Sequence, residues 1–426
     1  MRALALLLSI CEVASAATVS VSTEAEFAAA IKSGNTIELS NDISVGTPLL
    51  IGNPSTGGVV GLAINGIGHT IDGQRHSQCF NINYGSEVAF KDVIIANGFI
   101  KTFYGGGFYI AASQVTFENC KLVGNEAGGV YGGGGMFIAE QSFVNITGSE
   151  FSENTGGLYG GGLITTGGVV SMVDTNFLSN IAGYGSGMSI QAGARVTMTN
   201  CNVVDGKAAA VDTYVNGGGV FVDGSYLTMR GCNVSGNNRG GKGYGGGLAL
   251  EYGATVDIHD TRIENNTATQ GGGVYIFSTM FISMFGTTVA GNTAESGGGV
   301  YLPYYPARQS ALEMVGCAFA DNSATSSTGA KGADVDGTLA ALSVFSACGK
   351  EGTFNAGSGG VLQCEGCDGR EYPADLLSSA DSCDACGVGT FSCCGAVACQ
   401  GTAPECTAEE NAICAPIAWW HARAER

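Results

Sequence analysis

The chain has 426 residues, 70 of them glycine and only 7 proline, and it lacks the strict three-residue period of collagen. Its formal net charge of −19 argues against nucleic acid or an anionic membrane as partner, because like charges repel. With only four histidines, a histidine metal centre is a poor expectation, and no cofactor is expected.

In chain order, residues 1–16 read as an export signal. Arg2 gives the positive start, residues 3–10 the apolar core, and Ala14-Ser15-Ala16 a small-residue cleavage site. No later run is long and apolar enough to span a bilayer, and the closing APIAWWHARAER is no hydrophobic anchor tail. The expectation is a secreted or cell-surface protein without a transmembrane segment in this chain; a longer native chain with an anchor after Trp419-Trp420 stays open.

Thr23-x-x-Glu26 is a capping box, followed by Phe27, the alanines 28–30 and Ile31, with Gly34 as stop. The pattern predicts a short amphipathic helix within 22–34 that covers the open first coil of a repetitive β-structure. Strands are expected at Ile37-Glu38-Leu39, Leu49-Leu50-Ile51 and Val88-Ala89-Phe90.

Beyond Val88 the chain repeats itself. An apolar residue, two spacers and Asn recur as Ile94/Asn97, Leu122/Asn125, Phe151/Asn154, Phe177/Asn180, Val234/Asn237, Ile263/Asn266, Val289/Asn292 and Phe319/Asn322, with a degenerate copy at Val203/Gly206. Glycine triplets starting at Gly105, Gly133, Gly160, Gly217, Gly245, Gly271 and Gly297 keep the same step, and Gly185-Ser186-Gly187 fills the gap. Each unit of about 27 residues holds alternating triplets such as Val220-Phe221-Val222 and Leu227-Thr228-Met229, the period of a strand with one buried face. Three short strands per unit, in step, describe a parallel β-helix. Asn119, Gly148, Asp174, Asn200, Gly231, Asp260, Gly286 and Gly316 then share one corner, residue types that tolerate left-handed geometry. Cys120, Ser149, Thr175, Cys201, Cys232, Thr261, Thr287 and Cys317 come next as small inward residues, and the asparagines are expected to form a buried ladder.

The opening STEAEFAAAIKSGNTIELSNDI with GIGHTIDG resembles the start of right-handed parallel β-helices of the pectin-lyase-like superfamily. The Gly-Gly-Gly-apolar and apolar-x-x-Asn-x-Ala units resemble the repeat of chlamydial polymorphic outer-membrane proteins, without that group's C-terminal β-barrel. The expected fold is an all-β right-handed parallel β-helix solenoid of about 10–11 coils over residues 17–347, with a small disulfide-rich module at 348–414 and a tail at 415–426.

That module is marked by ten cysteines, Cys348, Cys364, Cys367, Cys383, Cys386, Cys393, Cys394, Cys399, Cys406 and Cys414. It is similar to ephrin-receptor-like cysteine modules. Cys364, Cys367, Cys383 and Cys386 also match a structural zinc spacing, but the export signal and the six further cysteines favour disulfides, with no metal expected. Pairing is not assignable from sequence.

The superfamily resemblance raises polysaccharide lyase and hydrolase chemistry. A lyase would need a base beside acidic calcium ligands, and calcium is expected only under that alternative; a hydrolase needs paired carboxylates in one groove. The weak catalytic candidates are Asp257, His259 and Asp260, for which a solvated strand end is the blander account. Two outward columns favour binding instead. Tyr104, Tyr131, Tyr159, Tyr184 and Tyr244 precede glycine runs, and Tyr109, Phe137, Phe221, Tyr275 and Tyr301 sit mid-strand after them. Such rings suit sugar faces or a partner surface, or else simply pack on one another. Asn145, Asn233 and Asn265 head glycosylation sequons at outward positions. The leading reading is a non-catalytic adhesion, matrix or glycan-binding protein whose partner is a glycan or a cell-surface protein. The alternatives are a lyase or hydrolase, and a purely structural surface protein.

Overall fold

The computed structural model describes residues 17–209, 215–238, 243–303, 310, 312–325, 333–337, 342–349, 353–356 and 360–363. The export signal and the cysteines from Cys364 onward lie outside these residues. Helix α1, Glu24–Ala30, opens the chain. Thr23 caps it by accepting from the Glu26 N–H at 3.2 Å, while the Glu26 carboxylate reaches past Thr23 to accept from the N–H and hydroxyl of Ser22. Phe27 is fully buried and meets Phe80 edge-on at 5.9 Å, so the helix lids the first coils. No helix among the described residues is long and apolar enough to cross a membrane.

About ten coils make up the rod. One coil serves for all: Met136–Ile138 lies in a first sheet, Phe143–Thr147 and Glu150–Ser152 in a second, and Thr155–Gly156 in a third. Each strand pairs in parallel with its equivalents one coil before and after, Val144 between Val115 and Val170 and Phe151 between Leu122 and Phe177. The buried alternates stack into columns inside the coil. Phe80 and Phe108 lie 5.0 Å apart and nearly parallel, as do Phe90 and Phe117 at 5.1 Å. Burying each such ring stabilises the fold by roughly 1.5–3 kcal/mol, and ring stacking adds about 0.5–1.5 kcal/mol.

Both expected corners are present. Asn119, Gly148, Asp174, Asn200, Gly231, Asp260, Gly286 and Gly316 all have φ between 47° and 62°. The small residue after each is buried, and those at 120, 149, 175, 201, 232, 261 and 287 donate to the carbonyl two residues back, as Thr261 does to His259 at 2.8 Å and Cys201 to Thr199 at 3.3 Å. That shared contact explains why serine, threonine and cysteine interchange here. Cys79, Cys120, Cys201, Cys232 and Cys317 are buried as reduced thiols. Burial pushes Cys79 up to about 12 and Cys120 to about 11.

The ladder runs from Asn125. Asn154 donates through Nδ2 to Leu122 O at 2.8 Å and to Asn180 Oδ1 at 3.1 Å, and accepts at Oδ1 from Asn125 N–H and Nδ2. Asn237, Asn266, Asn292 and Asn322 repeat the pattern. Asn97 is a correction. The register pairs Ile95, not Ile94, with Leu122, so Gly98 takes the ladder position and donates its N–H to Asn125 Oδ1 at 2.8 Å. Asn97 sits one place earlier with φ 52°, in the corner column of Gly124 and Glu153.

The glycine runs form rails along one edge. The first glycine of each has positive φ, and a Cβ there would land on the carbonyl three residues on, Gly133 against Met136 and Gly271 against Val274. In the run 133–135, Gly133, Gly134, Gly135 and then Met136 all donate to the next coil, at Tyr159, Gly160, Gly161 and Gly162. A regular strand alternates its donors; here four in succession point the same way. At the amino end the Gln78 amide donates to the carbonyls of Tyr104 and Gly105.

At the other end, Leu342–Gly349 pairs in parallel with Leu312–Ala320, Cys348 opposite Ala318. The solenoid strand thus crosses the boundary expected at 347, and Cys348 is in a coil rather than at the head of a separate module. Thr353–Ala356 extends the first sheet and turns back antiparallel onto Gly360–Gln363.

Candidate functional site

The aromatic columns lie on the outer face of the first sheet, and they are one assembly rather than two. Tyr104, Tyr159, Tyr184 and Tyr244 each turn a ring over a mid-strand ring beyond the glycine run that follows. Tyr104 stacks on Phe137 at 4.5 Å, Tyr184 tilts over Phe221 at 5.0 Å, and Tyr244 stacks on Tyr275 at 4.8 Å. Tyr109 joins Phe137 at 5.6 Å, Tyr131 joins Tyr159 at 5.7 Å, Tyr159 joins Tyr184 at 4.9 Å, and Tyr301 closes the row on Tyr275 at 6.0 Å.

This packing corrects half of the expected surface. Phe137, Phe221 and Tyr275 point away from the coil interior but are only 5%, 3% and 6% exposed, because the neighbouring tyrosines cover them. Tyr131 is exposed, and Tyr104, Tyr109, Tyr159, Tyr184, Tyr244 and Tyr301 are half-buried. What meets solvent is therefore a wall of tyrosine rings over a buried aromatic floor.

Sequence reasoning missed the charged part of this face. It ended these strands at three residues, but Val220–Asp223 and Leu248–Glu251 run to four. Alternation then puts Asp223 and Glu251 on the same outer face as Phe221 and Ala249, and the register makes them direct neighbours. Glu251 is 4% exposed, and burial raises its carboxyl to about 7, against the downward pull of a hydrogen bond from Asn216. Burial raises Asp223 as well. Asn216 Nδ2 donates to Glu251 Oε1 at 2.6 Å, leaving its own Oδ1 buried with no hydrogen-bond partner. Tyr159 is pushed up to about 12, first by burial, then by its tyrosine neighbours, and further by Asp223 and Glu251.

Asp257 and His259 come together on the second sheet, His259 Nε2 lying 2.9 Å from Asp257 Oδ2 and Arg230 Nη2 3.9 Å from the same oxygen. Ser283 donates to Asp257 Oδ1. The hydroxyl bonds the carboxylate and not the imidazole, so the trio lacks the order that activates a serine nucleophile. His259 instead stacks on Phe285 at 5.1 Å. Asp260 turns away at a corner, exposed, with φ 47°. Among the described residues no three His, Cys, Asp or Glu side chains gather as a cation ligand set.

Asn145 and Asn265 are exposed, and Asn233 is half-buried with its amide on the Ser235 hydroxyl at 3.0 Å. Asn145 lies mid-strand in the second sheet, away from the tyrosine wall on the first.

The family model "Right handed beta helix region" matches residues 78–247 and 134–305, together more than half of the chain. The chain belongs to the right-handed β-helix family. A second model, "Putative pectate lyase-like adhesive domain", matches residues 18–127 of this β-helix, which include Tyr104 and Tyr109. No curated protein matches the chain in sequence. Among solved structures, the Streptococcus pneumoniae surface protein and adhesin PfbA is similar at 12% identity over 71% of this chain and 87% of that one, with a TM-score of 0.34.

Proposed function

We propose that this β-helix is a surface adhesion protein that binds glycan along the tyrosine wall of its first sheet. The observation that carries the reading is the continuous row of solvent-facing rings, Tyr104 through Tyr184, fixed by stacked and edge-on contacts at 4.5–6.3 Å. Rings already locked in place lose little side-chain entropy on binding, and their flat faces match the apolar faces of pyranose rings. The adhesive-domain match over residues 18–127 supports the same class of function. The test is a glycan array on the secreted protein beside the double variant Tyr131→Ser, Tyr159→Ser. Loss of binding with an unchanged far-ultraviolet circular dichroism spectrum is expected; unchanged binding rejects the reading.

A hydrolase is the second reading, and one observation favours it: Asp223 and Glu251 are neighbouring carboxyls, the higher of them at about 7. Against it, Glu251 is almost fully buried and tied to Asn216, away from a glycosidic oxygen. Release of new reducing ends from any array glycan, abolished by Asp223→Asn, would establish this second reading.

A further inference from the structure

Cys201 and Cys232 follow the same corner on consecutive coils. Asn202 pairs in register with Asn233, and the Asn233 N–H donates to Cys201 O at 2.9 Å, so the two cysteines face each other across one sheet spacing. That spacing, about 4.8 Å, lies inside the ~4.4–6.8 Å range of Cα separations that a disulfide spans. Cys201 Sγ lies 3.3 Å from Thr199 O, and Cys232 Sγ reaches back to 3.6 Å from Met198 O on that same coil. The two thiols also hydrogen-bond each other. Cys317 reaches back in the same way, to Met284 O at 3.2 Å, but the residue it meets in the column is Thr287. Cys120 has Val93 and Ser149 on either side. Among the described residues, 201 and 232 are the one place in this column where sulfur faces sulfur.

We propose that Cys201 and Cys232 close a disulfide as these coils assemble, with a low-molecular-weight disulfide such as glutathione disulfide as oxidant. One cysteine thiolate attacks a sulfur of the oxidant, forming a mixed disulfide and releasing one reduced glutathione. The second cysteine thiolate then displaces the remaining glutathione. The two protein thiols give up two protons and two electrons, and the oxidant, having gained them, leaves as two thiols. Both sulfurs are buried in the finished coils, so the exchange precedes closure of the rod over them. On the surface reading proposed above, the chain folds where such oxidants are present. The link falls where the asparagine ladder is interrupted. Cys201 shares its coil with Gly206, which has no side-chain amide to extend to Asn237 and offers only its N–H. A covalent tie across the same two coils takes over from the missing rung, and the loop it closes, about thirty residues, is long enough for a measurable gain in stability.

The test unfolds the full chain, made without glycosylation, in urea with dithiothreitol and refolds it in a buffer of reduced glutathione and glutathione disulfide. After alkylation, trypsin releases residues 196–207 and 231–239, each with one cysteine. Mass spectrometry is expected to find most of both peptides joined, as one species two hydrogens lighter than their sum. The melting temperature that oxidation adds should be at least ~3 °C greater in wild type than in the double variant Cys201→Ser, Cys232→Ser, whose hydroxyls keep the corner contact seen at Ser149. Two separate alkylated peptides overturn the disulfide, as does linkage of either cysteine to any other. A joined pair with no such difference in melting overturns its role as a tie between coils. None of these outcomes depends on glycan binding, so this inference and the adhesion reading fail separately.

Discussion

Ser186 and Gly206 exclude one another's side chains. A Cβ on Gly206 would fall on the Ser186 hydroxyl, which donates to Gly218 O. In the neighbouring units the equivalents are a glycine and a ladder asparagine, so this coil exchanges both at once. The ladder is broken at Gly206, yet its N–H still donates to Asn237 Oδ1 at 3.0 Å.

Gly206→Asn alone should therefore destabilise the protein, by about 1–3 kcal/mol, because the added side chain has no room. Combined with Ser186→Gly it should regain most of that loss by completing the ladder. Urea unfolding of the four members of the cycle gives the coupling, and additive effects would show that the two positions are independent.

The glycine rails separate two kinds of cost. Gly133→Ala forces a left-handed alanine and drives its Cβ onto the Met136 carbonyl, so a loss of about 2–4 kcal/mol is expected. Gly193→Ala meets the same left-handed region, with φ 76°, but has nothing within 4 Å, and should lose only about 1 kcal/mol. Melting temperatures of the two variants make the comparison.

Glu251 predicts a pH dependence of unusual sign for a carboxyl. Its folded value, about 7, lies above the ordinary 4.5, so the folded chain holds this proton more tightly than the unfolded chain. The contribution is complete below pH 4.5 and disappears as pH rises through 7, an effect on the order of 3 kcal/mol. Glu24, Glu26 and Asp42 are shifted the other way by backbone hydrogen bonds, so the quantity to measure is the difference from Glu251→Gln. Wild type should lose stability relative to that variant between pH 5 and 8. A constant difference across that range rejects the shift.

Asp257→Asn tests the weak catalytic candidate. Asp257 and His259 are part-exposed, so their pair should contribute under ~1 kcal/mol, with glycan binding unchanged. A loss of any activity on this substitution would move attention from the first sheet to the second.

The solenoid was legible in sequence because its constraints recur. Asparagine, glycine and corner residues each mark the same step, and a register error in one coil stands out against the others. The misreadings fall where redundancy fails. Ile94 and Ile95 are both apolar, so the motif fits either, and only the pairing of Ile95 with Leu122 decides it. Phe137 and Tyr275 do turn outward, but alternation reports direction and not cover, and their burial comes from tyrosines of other coils. Asp223 and Glu251 escape notice because they belong to a fourth strand position occupied by Thr166, Gln191 and Phe277 in other coils, a column with no repeated residue type.

The aligned peptides of the glycine rails give each rail two chemically different ends, acceptors toward the amino terminus and donors toward the other. The acceptor end lies inside the rod, where the preceding coil closes it: Cys79 and Phe80 donate their N–H groups to Gly106 and Gly107, and the Gln78 amide donates to the carbonyls of Tyr104 and Gly105. One side chain thus finishes a pattern that backbone alone supplies in the later coils, and Gln78→Ala would take the donor from two carbonyls of the first rail.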